Sequence, residues 1–73
     1  MENKIKKILE EVLDVEINEN ISSENCEDWD SMNQVNIVLE LQDEFGIKIP
    51  MDDVMKLNSY SSILEYVKSK IQN

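Results

Sequence analysis

The sequence predicts an all-α fold: an antiparallel four-helix bundle with three main helices, one short third helix and a long loop between the first two. Three observations point there. Apolar residues recur at helical spacing in three separate stretches. One Gly and one Pro in 73 residues are too few turn formers for an all-β domain with its many hairpins. At 41% apolar, the chain is too hydrophobic to be disordered. Residues 1–73 are expected to form one domain, with neither repeat nor linker. A domain of this size buries only about 60% of its unfolded surface, so its stability margin is thin.

The first helix is expected from about Asn3 to Val15, with Asn3 as its N-cap. Ile5, Ile8, Leu9, Val12 and Leu13 supply the apolar stripe. Glu16 to Asp30 is rich in Ser, Asn, Asp and Glu and reads as loop. A connection this long either carries function or holds turns of its own, pinned here by Ile17, Ile21 and Trp29. The second helix is expected from Ser31 to Phe45, stopped by Gly46 in the left-handed region. At roughly 100° per residue from Met32, Ile37, Leu41, Phe45, Val38, Val35 and Leu39 fill an arc from about 140° to 340°. So wide an arc marks a central helix that leaves only a narrow strip to water. Ile47-Lys48-Ile49-Pro50 is too short and isolated for a sheet. Pro50 opens a short helix ending near Lys56, with Asp52 and Asp53 at its positive end. Asn58-Ser59 caps the last helix, whose stripe is Tyr60, Ile63, Leu64, Val67 and Ile71. Lys68 and Lys70 sit at its negative end.

Composition removes much chemistry. Histidine is absent, so no Ser-His-Asp or Cys-His pair and no His-containing zinc site can form. Arginine is absent too, which removes bidentate phosphate clamping. A net charge of −9 argues against nucleic acid or an anionic membrane as partner. From Ile8 to Ile47 there are twelve carboxylates and no basic residue, and the natural complement of that stretch is a basic protein surface. The longest apolar run, Ile37-Val38-Leu39, cannot span a membrane, and the amino-terminal residues offer no signal-peptide core. The single Cys26 cannot form an intramolecular disulfide and fits a reducing compartment, so a cytoplasmic location is expected. A monomer is expected as well.

The candidate site is Glu27-Asp28-Trp29-Asp30-Ser31-Met32. Taken alone, Ser31-Met32-Asn33-Gln34 matches a capping box, and most such serines merely cap a helix. An EF-hand register would put Met32, Asn33 and Leu39 at positions five, six and twelve, each wrong for calcium. No resident metal is expected. Cys26 reads as a bystander, since acidic neighbours disfavour its thiolate. Trp29 reads as a loop anchor whose indole N–H needs an acceptor.

Context changes the reading of Ser31. Asp30-Ser31-Met32 opens a helix after a long acidic loop, and Phe45-Gly46-Ile47 and Pro50 follow. This resembles the acyl carrier protein family, whose signature is Asp-Ser-Leu at the start of the second of four helices. The likeness runs the length of the chain, with Val35 to Ile47 similar to the family's second helix and Pro50 to Leu57 to its third. It implies that Ser31 is the attachment point for 4′-phosphopantetheine taken from coenzyme A. A phosphopantetheinyl transferase supplies the base, since Ser31 has none nearby, and Asp30 helps to place that enzyme's magnesium. The chain is then a carrier, not an enzyme. The family implies acyl intermediates held as thioesters, an acyl- or aminoacyl-activating ligase, and condensing enzymes or acyltransferases with basic docking surfaces. It also implies a cleft for the acyl chain, lined by inner ends of the last helix's stripe.

By spacing alone Met32 and Leu39 fit core packing as well as an interface, and Asp52 and Asp53 fit a solvated face. The resemblance favours an apolar docking contact at Met32 and Leu39, rimmed by Asn36, Glu40, Asp43 and Glu44 and extended by Asp52 and Asp53. Trp29 and Met32 stand where many relatives have Leu, and Asn36 and Gln42 where many fatty-acid carriers have acids. The Trp-Asp-Ser arrangement is similar to stand-alone carriers outside primary fatty acid synthesis. Fatty acyl, hydroxyacyl, polyketide and aminoacyl cargo, including D-alanyl, all fit the architecture. The competing reading is an unmodified acidic module that binds a basic protein by charge alone.

Overall fold

In a computed structural model, residues 2–71 are described and fold into four helices. Helix α1 (Glu2–Leu13) buries Ile5, Ile8, Leu9 and Leu13. Asn3 lies inside the helix instead of capping it. The helix also stops two residues before Val15. Asp14 turns into the left-handed region (φ 55°) and its N–H bonds back to Glu10 O at 2.8 Å. A short polar side chain tolerates that conformation better than most, so the stop needs no glycine.

The connection to α2 is an ordered loop. Asn18 accepts from Asn20 N–H at 2.8 Å, Asn25 accepts from Ser22 N–H at 3.0 Å, and Asn25 donates to Asn20 O at 2.9 Å. Two backbone bonds stitch this loop to the entry of α4: Ser23 N–H to Asn58 O at 2.8 Å and Tyr60 N–H to Ile21 O at 3.1 Å. Ile21 and Trp29 are buried as pins, with Ile17 partly so. Among the described residues there is no strand, only an isolated bridge between Ser22 and Ser59.

Helix α2 (Ser31–Phe45) ends at Gly46, whose φ of 62° is the left-handed stop the sequence predicts. It packs against α1 on one side and α3 (Met51–Val54) on another, while α1 also meets α4 (Tyr60–Ile71). Ile37, Val38 and Leu41 are buried, but Met32 is 75% exposed, Leu39 55% and Val35 52%. The strip left to water is therefore wider than the apolar arc implies, because only part of that arc meets a neighbouring helix. Ile49 is buried without a sheet, its N–H donating to Gln42 Oε1 at 2.8 Å. Helix α3 is shorter than expected, ending at Val54, with Pro50 at its N-cap. Ser59 and Ser62 cap α4 reciprocally, each hydroxyl accepting the other's N–H at 3.1 Å. Tyr60, Ile63 and Val67 are buried, whereas Ile71, at the end of the expected stripe, is 43% exposed.

One polar strut joins α3 to α4. Tyr66 donates its hydroxyl to Asp53 Oδ2 at 2.8 Å, and Lys56 Nζ lies 3.3 Å from Asp53 Oδ1. Burial first, then the Asp53 acceptor, pushes the Tyr66 hydroxyl up to about 12. The Tyr66 donor, aided by Lys56, holds the Asp53 carboxyl below its ordinary value. A raised folded value means that the contribution of Tyr66 is complete below the ordinary tyrosine value of 10.0 and is lost as pH climbs toward 12. Wild-type protein is therefore expected to lose melting temperature between those limits faster than Tyr66→Phe, so the curves converge. Thermal melts of both that fall in parallel would remove the strut's role.

Candidate functional site

The mouth of α2 is organised by Asp30. With extended backbone (φ −100°, ψ −175°), it accepts from Asn33 N–H on Oδ1 at 2.9 Å, while its carbonyl takes Gln34 N–H at 2.8 Å. Asp30 is thus the N-cap and Ser31 the first helical residue, one position along from the capping box read with Ser31 as cap. An aspartate in this place satisfies the helix end and also meets its positive dipole. Asn33 is steadied further by donating its side-chain amide to Asp28 O at 2.7 Å. The consequence falls on Ser31. Its side chain is exposed, and its hydroxyl has no hydrogen-bond partner among the described residues. The amides of Asn33 and Gln34 are committed, which leaves those of Ser31 and Met32 as the open donors of the helix end.

Just behind this mouth lies a buried polar hub that the sequence reading missed. Gln34 is 6% exposed. Its Oε1 accepts the Trp29 indole N–H at 2.6 Å, and its Nε2 donates to Val54 O at 2.6 Å and Leu57 O at 2.8 Å. The indole acceptor expected for Trp29 is therefore Gln34. One side chain ties the loop end, α2 and the exit of α3 together. Leaving any of these groups buried and unpaired costs about 1–3 kcal/mol. A signal was present: at about 100° per residue from Met32, Gln34 falls near 200°, inside the apolar arc. A glutamine there is buried and must be hydrogen-bonded.

Beside Ser31 runs a groove of about 570 Å³ lined by Trp29, Gln34, Val35, Met51, Val54 and Met55, with Ser23, Asp30 and Asn58 at its polar edges. The stripe of α4 contributes no side chain to it, contrary to the expectation that this stripe lines the cleft; the walls come from α2, α3 and the loop ends. A second hollow, of about 520 Å³, lies along the α1–α2 loop over Val15, Asn18 and Cys26 and does not reach Ser31.

Met32 and Leu39 stand exposed on α2, with Val35 on the same helix and Met51 and Met55 on and just beyond α3. Asn36, Glu40, Asp43, Glu44 and Asp52 are exposed as well. Asp53 differs from its neighbour Asp52: it is half-buried and engaged by Tyr66 and Lys56, a structural strut rather than a free rim charge. Among the described residues no three His, Cys, Asp or Glu side chains converge as a metal site, and Cys26 is a lone, half-buried thiol.

An exposed hydroxyl at the start of a long helix, with two free backbone N–H donors and an apolar groove alongside, fits a phosphodiester-linked arm. Comparison with known proteins agrees. The family model for the phosphopantetheine attachment site matches residues 3–67. The acyl carrier protein of Lactobacillus acidophilus is 37% identical over 70 residues, covering 92% of this chain and 88% of that protein. That of Lactobacillus johnsonii is 36% identical over the same shares of each chain. The chain belongs to the acyl carrier protein family. It is accordingly a carrier without catalysis of its own, and its cofactor is phosphopantetheine.

Proposed function

We propose that Ser31 carries the 4′-phosphopantetheine arm and that the chain, as one carrier domain in the cytoplasm, holds acyl intermediates and delivers them to biosynthetic enzymes. The observation that supports Ser31 is its free, exposed hydroxyl at the first position of α2, made available because Asp30 takes over the cap. No histidine exists in the chain to activate this hydroxyl, so the base comes from the transferase. In the transfer, the Ser31 hydroxyl gives its proton to that base. Its oxygen bonds to the phosphorus of the pantetheine phosphate, and coenzyme A's nucleotide leaves. Asp30 keeps Oδ2 uncommitted while Oδ1 caps the helix, so it retains an oxygen for the transferase's magnesium. When attached, the group supplies a thiol that holds cargo as a thioester.

This chain's residues then position and present that arm. The Ser31 and Met32 amides, at the positive end of the helix, would hold the phosphate. Exposed Met32 and Leu39, rimmed by Asn36, Glu40, Asp43 and Glu44 and extended by Asp52, form the docking face for partners with basic surfaces. The transferase, an activating ligase and condensing enzymes or acyltransferases are the partners this face serves.

Incubation with coenzyme A and a broad-specificity phosphopantetheinyl transferase is expected to add the mass of one phosphopantetheine to the wild-type chain and none to Ser31→Ala. No gain with several transferases, or a gain that survives in Ser31→Ala, would contradict the assignment. Leu39→Ala is expected to lower partner turnover several-fold with little change in melting temperature. A loss of about 2–5 kcal/mol of stability, as for a core truncation, would put Leu39 in the core instead.

A further inference from the structure

We propose that Met32, Met51 and Met55 form a reversible oxidation site: conversion of their thioethers to sulfoxides by hydrogen peroxide weakens partner docking while the bundle stays folded. The inference rests on the reading that Ser31 bears the arm and that partners dock around it. The chain has four methionines, of which Met1 lies outside the described residues. The other three are between 75% and 85% exposed. None of them belongs to the core or to the partly buried residues packed against it. Methionine is an ordinary filler of cores, so hydrophobicity alone does not account for this segregation.

The three sulfurs gather at the modification site. Met32 follows Ser31 directly in α2. Met51 and Met55, at the start of α3 and at its C-cap, line the groove that Ser31 also borders. Peroxide therefore reaches them without opening the fold. Other oxidisable groups are less open, since Cys26 is half-buried and Trp29 is buried. In each oxidation the sulfur lone pair attacks one peroxide oxygen. The O–O bond breaks, an S–O bond forms and sulfur loses two electrons. The released hydroxide takes the proton of the transferred oxygen and leaves as water. A polar, chiral sulfoxide then stands where a flexible apolar side chain was. In the free chain this changes little, because the side chain is already in water. In a complex, the sulfoxide oxygen loses its water against an apolar partner surface that has no donor to replace it. Docking therefore weakens, and reduction to the thioether restores it.

The test oxidises the full, unmodified chain with hydrogen peroxide and removes the peroxide by desalting. Peptide mass mapping locates the added oxygens. A dithiol then reverses a disulfide or sulfenic acid at Cys26 but leaves methionine sulfoxide in place. The readouts are melting temperature and the KM and kcat of phosphopantetheine transfer from coenzyme A by a transferase. The expected result is a KM raised several-fold at unchanged melting temperature. Methionine sulfoxide reductases for both epimers, with a dithiol as reductant, are expected to return KM to its starting value. A chain carrying Met32→Leu, Met51→Leu and Met55→Leu, compared with itself before and after peroxide, is expected to show no rise. Should that chain fold poorly, Met32→Leu alone is expected to show a smaller rise than wild type. Oxidation of all three residues with KM unchanged overturns the proposal, as does a KM that rises only as melting temperature falls. Methionines that resist peroxide, or a rise undiminished in the leucine variants, overturn it too. Absence of phosphopantetheine on the unoxidised chain fails the Ser31 reading itself, which is a separate outcome.

Discussion

The arrangement depends on one hydrogen bond, from Asn33 N–H to Asp30 Oδ1 at 2.9 Å. A helix end must satisfy its free N–H groups, and serine and aspartate compete for that duty. Because Asp30 performs it, Ser31 enters the helix with its hydroxyl unspent and exposed. The same aspartate lies at the positive end of the helix dipole, where a carboxylate is favoured. Capping and a free hydroxyl are thus divided between two adjacent residues.

Behind the mouth, the buried Trp29–Gln34 pair ties the loop end to α2 and to the exit of α3. The indole anchors the last turn of the acidic loop, and the glutamine carries that anchorage to the exit of α3. The loop's second attachment, the bridge to Ser59, fixes its middle to the start of α4. Ser31 is therefore presented by a loop held at two places, although the loop itself is polar. Around it, the carboxylates from Glu27 to Glu44 have no basic residue within their own stretch, and Glu40 and Glu44 share a hollow with Lys4 and Lys7 of α1. Apolar Met32, Val35 and Leu39 lie exposed on the same helix as these two glutamates.

Helix α2 was the most legible element. Gly46 and the apolar spacing set its bounds at Ser31 and Phe45, as the sequence predicts. The loop's pins Ile21 and Trp29 and the Ser59 cap of α4 were readable for the same reason, local chemistry and periodicity, whereas the reciprocal partner is Ser62 and not Asn58. The features that were not readable depend on tertiary geometry. The capping-box match points to Ser31 as the cap, and the extended backbone at Asp30 moves that duty one residue earlier. Gln34 was hidden by its match to a capping-box position, although its angle on the helix wheel places it among core residues. Asp53 looked like one more surface acid until Tyr66, thirteen residues away, was found to donate to it. Ile71 continues the α4 stripe in register, but among the described residues none covers it enough to bury it. The groove's walls also required the packing of α3 against α2, which no periodicity contains.

The central claim is that Asp30, not Ser31, closes the end of α2. Urea unfolding of Ser31→Ala and Asp30→Ala against the unmodified wild-type chain tests it directly. Loss of a cap costs about 0.5–2 kcal/mol, and that loss is predicted for Asp30→Ala, with Ser31→Ala within a few tenths of wild type. The reverse order, with alanine at position 31 carrying the cost, would mean that the serine hydroxyl is a structural plug and the account is wrong.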